Sequence, residues 1–254
     1  MRENFSLLAT WIKSKIIRME IKNKVIIVTG ASMGIGLATA RLLSEKGAKV
    51  ALVARSKEIL EKLAEELPES FSVAADLSDA KEVERMIDEV NKHYGRIDAL
   101  VNNAGRGIYG AIENVDIDSY RKVFDLNVVG PLMAMKCVIP IMRAQGGGAI
   151  VNVSSMVSKA YIPYLGAYAS TKYALNAISL TARAELDKDG IVVGVVHPGM
   201  TATEFGKNAV KSDAVAEGME SRHREHLPEP DTAEYVAGCI LLALQSGEAE
   251  IFAH

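Results

Sequence analysis

Short hydrophobic runs alternate with longer helical patterns along most of this chain. The runs are continuous in apolar residues rather than alternating, which is typical of strands that are covered on both faces. Six of them predict strands: Val25–Thr29, Lys49–Ala54, Ser72–Ala75, Ala99–Val101, Ala149–Ser154 and Ile191–Val196. Between them, apolar residues recur at helical spacing near residues 35–46, 56–66, 80–94, 118–143 and 167–187. This alternation of strands and helices predicts an α/β fold with a doubly wound parallel sheet.

The end of the chain continues this alternation. Asp231 and Thr232 can cap a further helix that reaches about residue 245, and Ile251–Ala253 can form a last short strand. No repeat, low-complexity tract or linker interrupts the pattern. Residues 24–254 are therefore predicted to form a single domain.

Residues 1–23 precede the first predicted strand and form a leader that has two interpretations. Its apolar residues recur at helical spacing, which fits a short amphipathic helix on a partner or membrane surface. These residues are Phe5, Leu8, Ile12, Ile16 and Met19. Alternatively, Met19 is the natural start and residues 1–18 are an artefact of gene prediction or cloning. The apolar stretch is too short to span a bilayer, and no small-residue cleavage site follows it as in a signal peptide.

Composition and charge narrow the classes of function. Hydrophobic residues make up 49% and charged residues 24% of the 254 residues, as in soluble globular proteins. The formal net charge of −3 gives no basic surface for a nucleic-acid partner. Cys137 and Cys239 lie far apart in apolar runs, so neither a disulfide framework nor a metal site is predicted. We expect a cytoplasmic protein that acts on a small molecule.

A glycine-rich loop joins the first predicted strand to the first predicted helix. Gly30 permits a tight turn, Gly34 lets a pyrophosphate approach the backbone, and Gly36 allows close packing of helix and strand. The free N–H groups and the dipole of the helix N-terminus favour phosphate there. The loop therefore predicts a dinucleotide site whose contacts are Gly30, Ser32, Met33, Gly34, Ile35 and Gly36.

The spacing of these glycines, TGxxxGxG, resembles that of the short-chain dehydrogenase/reductase family, which has a Rossmann fold. Asp76–Leu77 resembles the family's adenine-contacting pair, and Asn102–Gly105 resembles its NNAG segment beside the cofactor. Pro198–Gly199 and Thr203 resemble the PGxxxT turn that binds the nicotinamide carboxamide. The resemblance covers residues 24 to about 205 and implies these further cofactor contacts: Asp76, Leu77, Asn103, Ala104, Gly105, Pro198, Gly199 and Thr203.

The end of the second predicted strand bears on the choice between NAD and NADP. Enzymes that use NAD usually carry a carboxylate there, which accepts hydrogen bonds from the ribose. This chain has Ala54 followed by Arg55, which can bind a 2′-phosphate in bidentate fashion. The family pattern implies the same preference for NADP(H) over NAD(H), although Met33 stands where many NADP-using relatives carry a second Arg or Lys.

Four residues form a candidate catalytic group. Tyr168 and Lys172 are four residues apart and so share one helix face. Ser155 lies 13 positions before Tyr168 at the end of a predicted strand, and Asn127 is a polar residue inside an apolar helical pattern. Hydride transfer to a carbonyl needs a proton donor, and a phenol with a lowered pKa can serve.

The resemblance implies a role for each member of this group. Tyr168 would be the general acid/base, and Lys172 would lower its pKa and bind the nicotinamide ribose. Ser155 would polarise the substrate carbonyl, its neighbour Ser154 being the competing candidate. Asn127 would hold a water that links Lys172 to solvent. The implied function is an NADP(H)-dependent oxidoreductase that interconverts a carbonyl and an alcohol; the alternative is a non-catalytic NADP(H)-binding regulator or scaffold on the same fold.

Two parts of the sequence are candidates for contact with the substrate. The segment of residues 204–227 is expected to cover the substrate, and Tyr161, Ile162, Tyr164 and Leu165 suggest an apolar wall or else ordinary loop packing. His223 and His226 lie among charged residues and are read as a solvated face rather than a metal site, and His197 as structural. Relatives are commonly dimers or tetramers, so the resemblance implies a homo-oligomer.

Overall fold

The structure is a computed structural model that describes residues 19–211 and 229–253. The predicted leader helix within residues 1–18 lies outside the described residues. So do residues 212–227 of the predicted substrate-covering segment, which include His223 and His226.

Within the described residues, seven parallel strands form the central sheet in the order β3-β2-β1-β4-β6-β7-β9. These strands are β1 (Val25–Thr29), β2 (Lys49–Ala54), β3 (Phe71–Ala74), β4 (Ala99–Asn102), β6 (Gly148–Val153), β7 (Ile191–Pro198) and β9 (Glu250–Ala253). The chain runs outward from β1 to β3 and then outward in the other direction from β4. The doubly wound sheet predicted from the sequence is confirmed.

Seven α-helices cover the two faces of this sheet in the described part of the chain. They are α1 (Gly34–Glu45), α2 (Lys57–Glu66), α3 (Ala80–Tyr94), α4 (Ile117–Phe124), α5 (Gly130–Ala144), α6 (Gly166–Leu186) and α7 (Ala233–Ser246). Residues of α1, α2 and α7 pack in one core cluster, and residues of α3, α5 and α6 pack in the other. All five residues of β1 are buried, because helices cover both faces.

Local chemistry fixes the ends of several helices. The Asp79 side chain caps α3 by accepting a hydrogen bond from the backbone N–H of Lys81 at 2.8 Å, and Gly95 ends it with φ of 74°. Thr232 caps α7 by accepting from the N–H of Tyr235 at 3.1 Å, as predicted from the sequence. The C-terminus of α3 requires the left-handed backbone conformation at Gly95, and glycine adopts that conformation without strain.

The helix predicted over residues 118–143 contains a π-helical turn. A π-helical turn, Asp125–Val129, separates α4 from α5, and Gly130 donates its N–H to the carbonyl of Asp125. Pro131 follows, and a proline cannot donate the N–H that would continue a regular helix. The predicted helical run is therefore present over Ile117–Ala144, and the π-helical turn within it was not predicted because apolar residues continue through the turn.

The helical run Ile117–Ala144 has a mean hydropathy of 1.4 and, among the described residues, it alone is long and apolar enough to cross a membrane. Core helices of globular proteins meet the same criteria. Its second half packs against the sheet through Ala134, Met135, Val138 and Met142. We therefore read the run as a partly buried core helix.

A second, two-stranded sheet was not predicted. Strand β5 (Ile108–Tyr109) pairs in parallel with β8 (Val210–Lys211). Arg106 adds a hydrogen bond from its Nε to the carbonyl of Asn208 at 2.8 Å. The small sheet therefore attaches the beginning of the predicted substrate-covering segment to the chain that follows β4.

Candidate active site

The glycine positions of the loop between β1 and α1 have little room for side chains. Gly30 and Gly34 have φ of 67° and 54°, which L-residues rarely adopt. A Cβ on Gly36 would overlap the carbonyl of Gly30 and lie 2.6 Å from the Asn103 amide nitrogen. A Cβ on Gly34 would lie 3.3 Å from the Thr203 side chain. The loop therefore packs closely against its neighbours at the N-terminus of α1, and glycine is required at these three positions.

Asn103 connects the two central strands at this edge. Its backbone N–H donates to the Thr29 hydroxyl at 2.9 Å, and its side-chain amide donates to the Thr29 carbonyl at 2.9 Å. Ala104 donates to the same hydroxyl at 3.0 Å. The NNAG segment therefore positions the end of β1, and the glycine loop with it.

The remaining predicted cofactor contacts lie around the same carboxyl edge. Pro198 ends β7, and Gly199 donates its N–H to the Ala253 carbonyl at 3.0 Å. A Cβ on Gly105 would lie 3.6 Å from the Lys172 amine. Met33 is exposed, Ser32 and Ile35 are half-buried in the glycine loop, and Leu77 is buried beneath α5. Where these residues would touch a dinucleotide remains a prediction.

Arg55 and Asp76 lie at the ends of neighbouring strands and interact electrostatically. Arg55 is exposed after β2. Two hydrogen bonds from Ser78, one from its N–H at 3.0 Å and one from its hydroxyl at 2.7 Å, lower the pKa of Asp76, and the charge of Arg55 lowers it further. The edge thus presents a guanidinium with an ionised carboxylate near it.

Tyr168 and Lys172 face the site from the first half of α6, and both are buried. The Lys172 ammonium donates to the Val153 carbonyl at 2.9 Å and lies 5.9 Å from the centre of the Tyr168 ring. An ammonium has three N–H donors, and that carbonyl is its one partner among the described residues. Two donors are therefore left for a ligand or water.

Burial dominates the protonation of both groups. It raises the pKa of Tyr168, the nearby Tyr109 raises it further, and a hydrogen bond with Ser155 opposes this. This direction is opposite to the lowered pKa that the sequence analysis expected. Burial also lowers the pKa of Lys172 to about 8, because the interior disfavours its charge.

The structure separates the two candidate serines. Ser155 forms a hydrogen bond with Tyr168, and its hydroxyl also accepts from the Val157 N–H at 3.3 Å. Ser154 turns to the other side, where its hydroxyl lies 3.4 Å from that of Ser158. Ser155 is therefore the serine that meets the tyrosine.

The Asn127 side chain forms three hydrogen bonds that link it to the Arg106 backbone and to Thr171. Its oxygen accepts from the Arg106 N–H at 2.9 Å, while its nitrogen donates to the Arg106 carbonyl at 2.9 Å and to the Thr171 hydroxyl at 3.1 Å. In a regular helix the Asn127 carbonyl would accept from residue 131, but Pro131 has no N–H. Both N–H groups of the Asn127 amide are used within the protein, and the water predicted at Asn127 remains a prediction.

Two aromatic residues that the sequence analysis did not predict flank Tyr168. The Tyr109 ring packs edge-on with a centroid distance of 6.3 Å, and Phe205 lies at 5.7 Å. Both come from the segments that the small sheet joins. By contrast, Tyr161 is 95% exposed and stacks on Tyr173 at 6.4 Å, so the predicted apolar wall does not begin with this residue.

The sequence comparisons identify the family of this chain. A family model described as short chain dehydrogenase matches residues 24–214. A 3alpha-hydroxysteroid dehydrogenase from Mediterraneibacter gnavus is 37% identical, over 74% of this chain and 77% of its own. The chain spans between 62% and 70% of the length of the first curated relatives that it matches.

Solved structures of related enzymes share the fold. An alcohol dehydrogenase from the archaeon Thermococcus sibiricus, complexed with 5-hydroxy-NADP, has a TM-score of 0.78 and 29% identity, covering 91% of this chain and 96% of its own. A 3-ketoacyl-(acyl-carrier-protein) reductase from Brucella melitensis, complexed with NADH, has a TM-score of 0.82 and 25% identity, covering 91% and 97%. The chain therefore belongs to the short-chain dehydrogenase family of oxidoreductases.

Proposed function

We propose that the protein is an NADP(H)-dependent oxidoreductase that interconverts a carbonyl and a secondary alcohol, with Tyr168 as the acid/base. The observation that carries this proposal is the meeting of Tyr168, Ser155 and Lys172 beside the glycine loop. Each offers the reaction something different: a proton, a hydrogen bond to the substrate oxygen and a positive charge.

The residues present fit a dinucleotide. Glycine at positions 30, 34 and 36 lets the loop pack closely against its neighbours at the N-terminus of α1, and α1 has no acidic residue in its first turn to repel phosphate. Lys172 has donors to spare for ribose hydroxyls. A bound nicotinamide would supply or accept the hydride; every other requirement of the reaction falls to this chain.

The preference for NADP(H) rests on Arg55. Its exposed guanidinium after β2 is free to meet a 2′-phosphate, and no carboxylate occupies the end of that strand. Asp76 on the neighbouring strand argues the other way, because its ionised carboxylate could bind a ribose hydroxyl and repel a phosphate. Two hydrogen bonds from Ser78 already hold Asp76, so we favour Arg55 as the determinant.

Tyr168 would act as a proton donor in the reduction of a carbonyl. The phenol is protonated at neutral pH, so its proton is available when the substrate oxygen gains negative charge. Ser155 would hold that oxygen against the phenol. The reverse reaction requires the phenolate as a base, and burial disfavours that charged form.

We further propose an apolar carbonyl substrate and a homo-oligomeric protein. Tyr109 and Phe205 place two rings against Tyr168, which favours an apolar group beside the reacting carbon. Val129, Leu132 and Tyr173 are each more than a third exposed on the helices that would pair with a second copy. The name of the hydroxysteroid dehydrogenase relative supports the apolar substrate, and the oligomers that are common in the family support the second point.

Turnover of a substrate panel tests the proposal. The purified protein is mixed with NADPH or NADH and a series of apolar ketones, aldehydes and polar sugars, and cofactor oxidation is followed. We expect oxidation of NADPH with apolar ketones or aldehydes. Tight NADPH binding without turnover of any panel member would instead favour the regulator or scaffold, which the comparisons with known enzymes do not favour.

A further inference from the structure

A buried histidine lies below the catalytic serine and has no part in the mechanism above. His197, on β7, is fully buried. Its Nε2 lies 2.9 Å from the Glu250 carboxylate, and its ring stacks on Phe252 with a centroid distance of 4.8 Å. A buried imidazole with defined partners on both ring nitrogens is held in one orientation.

The other edge of the ring faces the loop that carries Ser155. The Nδ1 atom lies 3.4 Å from the Ser158 hydroxyl, and the imidazole also forms a hydrogen bond with the Ser155 backbone. The Ser158 hydroxyl donates to the Ser155 carbonyl at 2.6 Å. The Ser155 peptide is therefore held from below by His197 and Ser158, while its side chain faces Tyr168 above.

Ser158 has little freedom to make other bonds. The Asn176 amide nitrogen donates to its oxygen at 2.9 Å, and its single proton is committed to the Ser155 carbonyl. The Asn176 amide oxygen is buried without a partner among the described residues, so the network leaves one buried polar atom without a hydrogen bond. A costly buried network directly under a catalytic hydroxyl requires an explanation other than stability.

The groups that act electrostatically on His197 come from two neighbouring elements. Glu250 lies on β9, and Lys159 ends the short 3-10 helix Met156–Lys159. Lys159 donates to the Glu250 carboxylate at 2.6 Å.

We propose that His197 and Ser158 are positioning residues, which fix the peptide of Ser155 so that its hydroxyl is aimed at the substrate oxygen. This inference rests on the proposed function. The Ser155 hydroxyl can polarise a carbonyl only in a narrow range of directions, and a displacement of about 1 Å can cost a large part of the rate.

Two substitutions of equal charge separate positioning from mere packing. In His197→Asn, the amide reaches roughly the place of Nδ1 and can still bond with Ser158 or Ser155. In His197→Gln, the amide reaches the place of Nε2 and can still bond with Glu250, and the side chain fills more of the cavity. A packing role predicts that His197→Gln is the better variant, whereas positioning predicts that His197→Asn is.

The measurement is kcat for each folded variant, with NADPH affinity measured separately. We expect kcat to fall about tenfold in His197→Gln but no more than about threefold in His197→Asn, with NADPH affinity unchanged in both. Equal losses, or a larger loss in His197→Asn, would overturn the proposal.

Ser158→Ala gives a second test if either histidine variant fails to fold. It should lower kcat about tenfold while leaving NADPH affinity intact. Ser70→Ala is its matched control, because the Ser70 hydroxyl also donates to a backbone carbonyl, that of Leu67 at 2.7 Å, far from the site. An unchanged kcat in Ser158→Ala would contradict the positioning role.

Tyr168→Phe is assayed in the same series to keep the two hypotheses apart. If Tyr168→Phe retains turnover, the proposed function itself fails. If Tyr168→Phe is inactive and the two histidine variants are equally active, the proposed function survives and the positioning role alone is rejected.

Discussion

The Lys172 ammonium lies 5.9 Å from the centre of the Tyr168 ring, and both side chains are buried on the same face of α6. The helix places them one turn apart, and the Val153 carbonyl holds the ammonium at 2.9 Å. Burial nevertheless governs each group, since it raises the pKa of the phenol and lowers that of the amine. The pair therefore favours a neutral phenol beside an amine that titrates close to neutrality.

The titration of Lys172 predicts how cofactor binding depends on pH. Its pKa is lowered to about 8, so its charge is present below that value and is lost as the pH rises through it. NADPH affinity should fall over the same range, by roughly tenfold or more, because a hydrogen bond from a charged donor contributes about 1.5–3 kcal/mol. Binding titrations on both sides of that pH, followed by fluorescence, measure the effect.

Lys172→Met should remove this pH dependence and lower NADPH affinity. It should also raise the thermal stability at neutral pH. The pKa of Lys172 is lower in the folded protein than in the unfolded chain, so below a pH of about 8 folding has to bury a charged amine, which makes folding less favourable. Lys188→Met, at an exposed lysine, is the control and should change neither property. A pH dependence that persists in Lys172→Met would assign the titration to another group.

Arg55→Asp should reverse the cofactor preference. The substitution replaces a donor to the 2′-phosphate with a carboxylate that repels it and can accept from a ribose hydroxyl. We expect the ratio of kcat/KM for NADPH to that for NADH to fall by at least about tenfold. The control is Arg121→Asp at an exposed arginine of α4, which should leave the ratio as it is. An unchanged ratio in Arg55→Asp would mean that the assignment of NADP(H) to this residue is wrong.

Gly36→Ala should abolish dinucleotide binding and destabilise the protein. The added methyl would overlap the Gly30 carbonyl and press on the Asn103 amide, both of which belong to rigid backbone or hydrogen-bonded groups. Gly238→Ala on α7 is the control, since no atom lies within 4 Å of its added Cβ. The control should be stabilised by about 0.5–1 kcal/mol. Thermal unfolding and NADPH titration of both variants provide the comparison, and normal binding by Gly36→Ala would refute the tight loop.

The sheet could be predicted from the sequence because its signals are local. The limits of β1 and β2 agree with the predicted runs, since an apolar β-rich stretch ends at the turn residues Gly30 and Arg55. The π-helical turn at Asp125–Val129 was not predicted, because the hydrophobic pattern continues through a turn that contains one extra residue. The dipeptide Gly130–Pro131, which follows this turn, is the feature of the sequence that could have indicated it.

The sequence predicts those site residues that lie on one helix at a fixed separation. Tyr168 and Lys172 share a helix face by their separation alone, whereas Tyr109 and Phe205 reach Tyr168 only through a pairing of two short strands about a hundred residues apart. No local signal encodes such a pairing. The raised pKa of Tyr168 is equally a property of the folded protein, because it comes from burial.

Turnover by Tyr168→Phe tests the central claim most directly. The change removes one hydroxyl and keeps the ring between Tyr109 and Phe205, and Tyr173→Phe on the same helix serves as the control. With a ketone or aldehyde that the native protein reduces, kcat should fall by at least about a hundredfold in Tyr168→Phe, the range expected for the loss of a general acid. NADPH binding should be unchanged, and Tyr173→Phe should remain active. Native kcat in a Tyr168→Phe protein that binds NADPH normally would contradict the account.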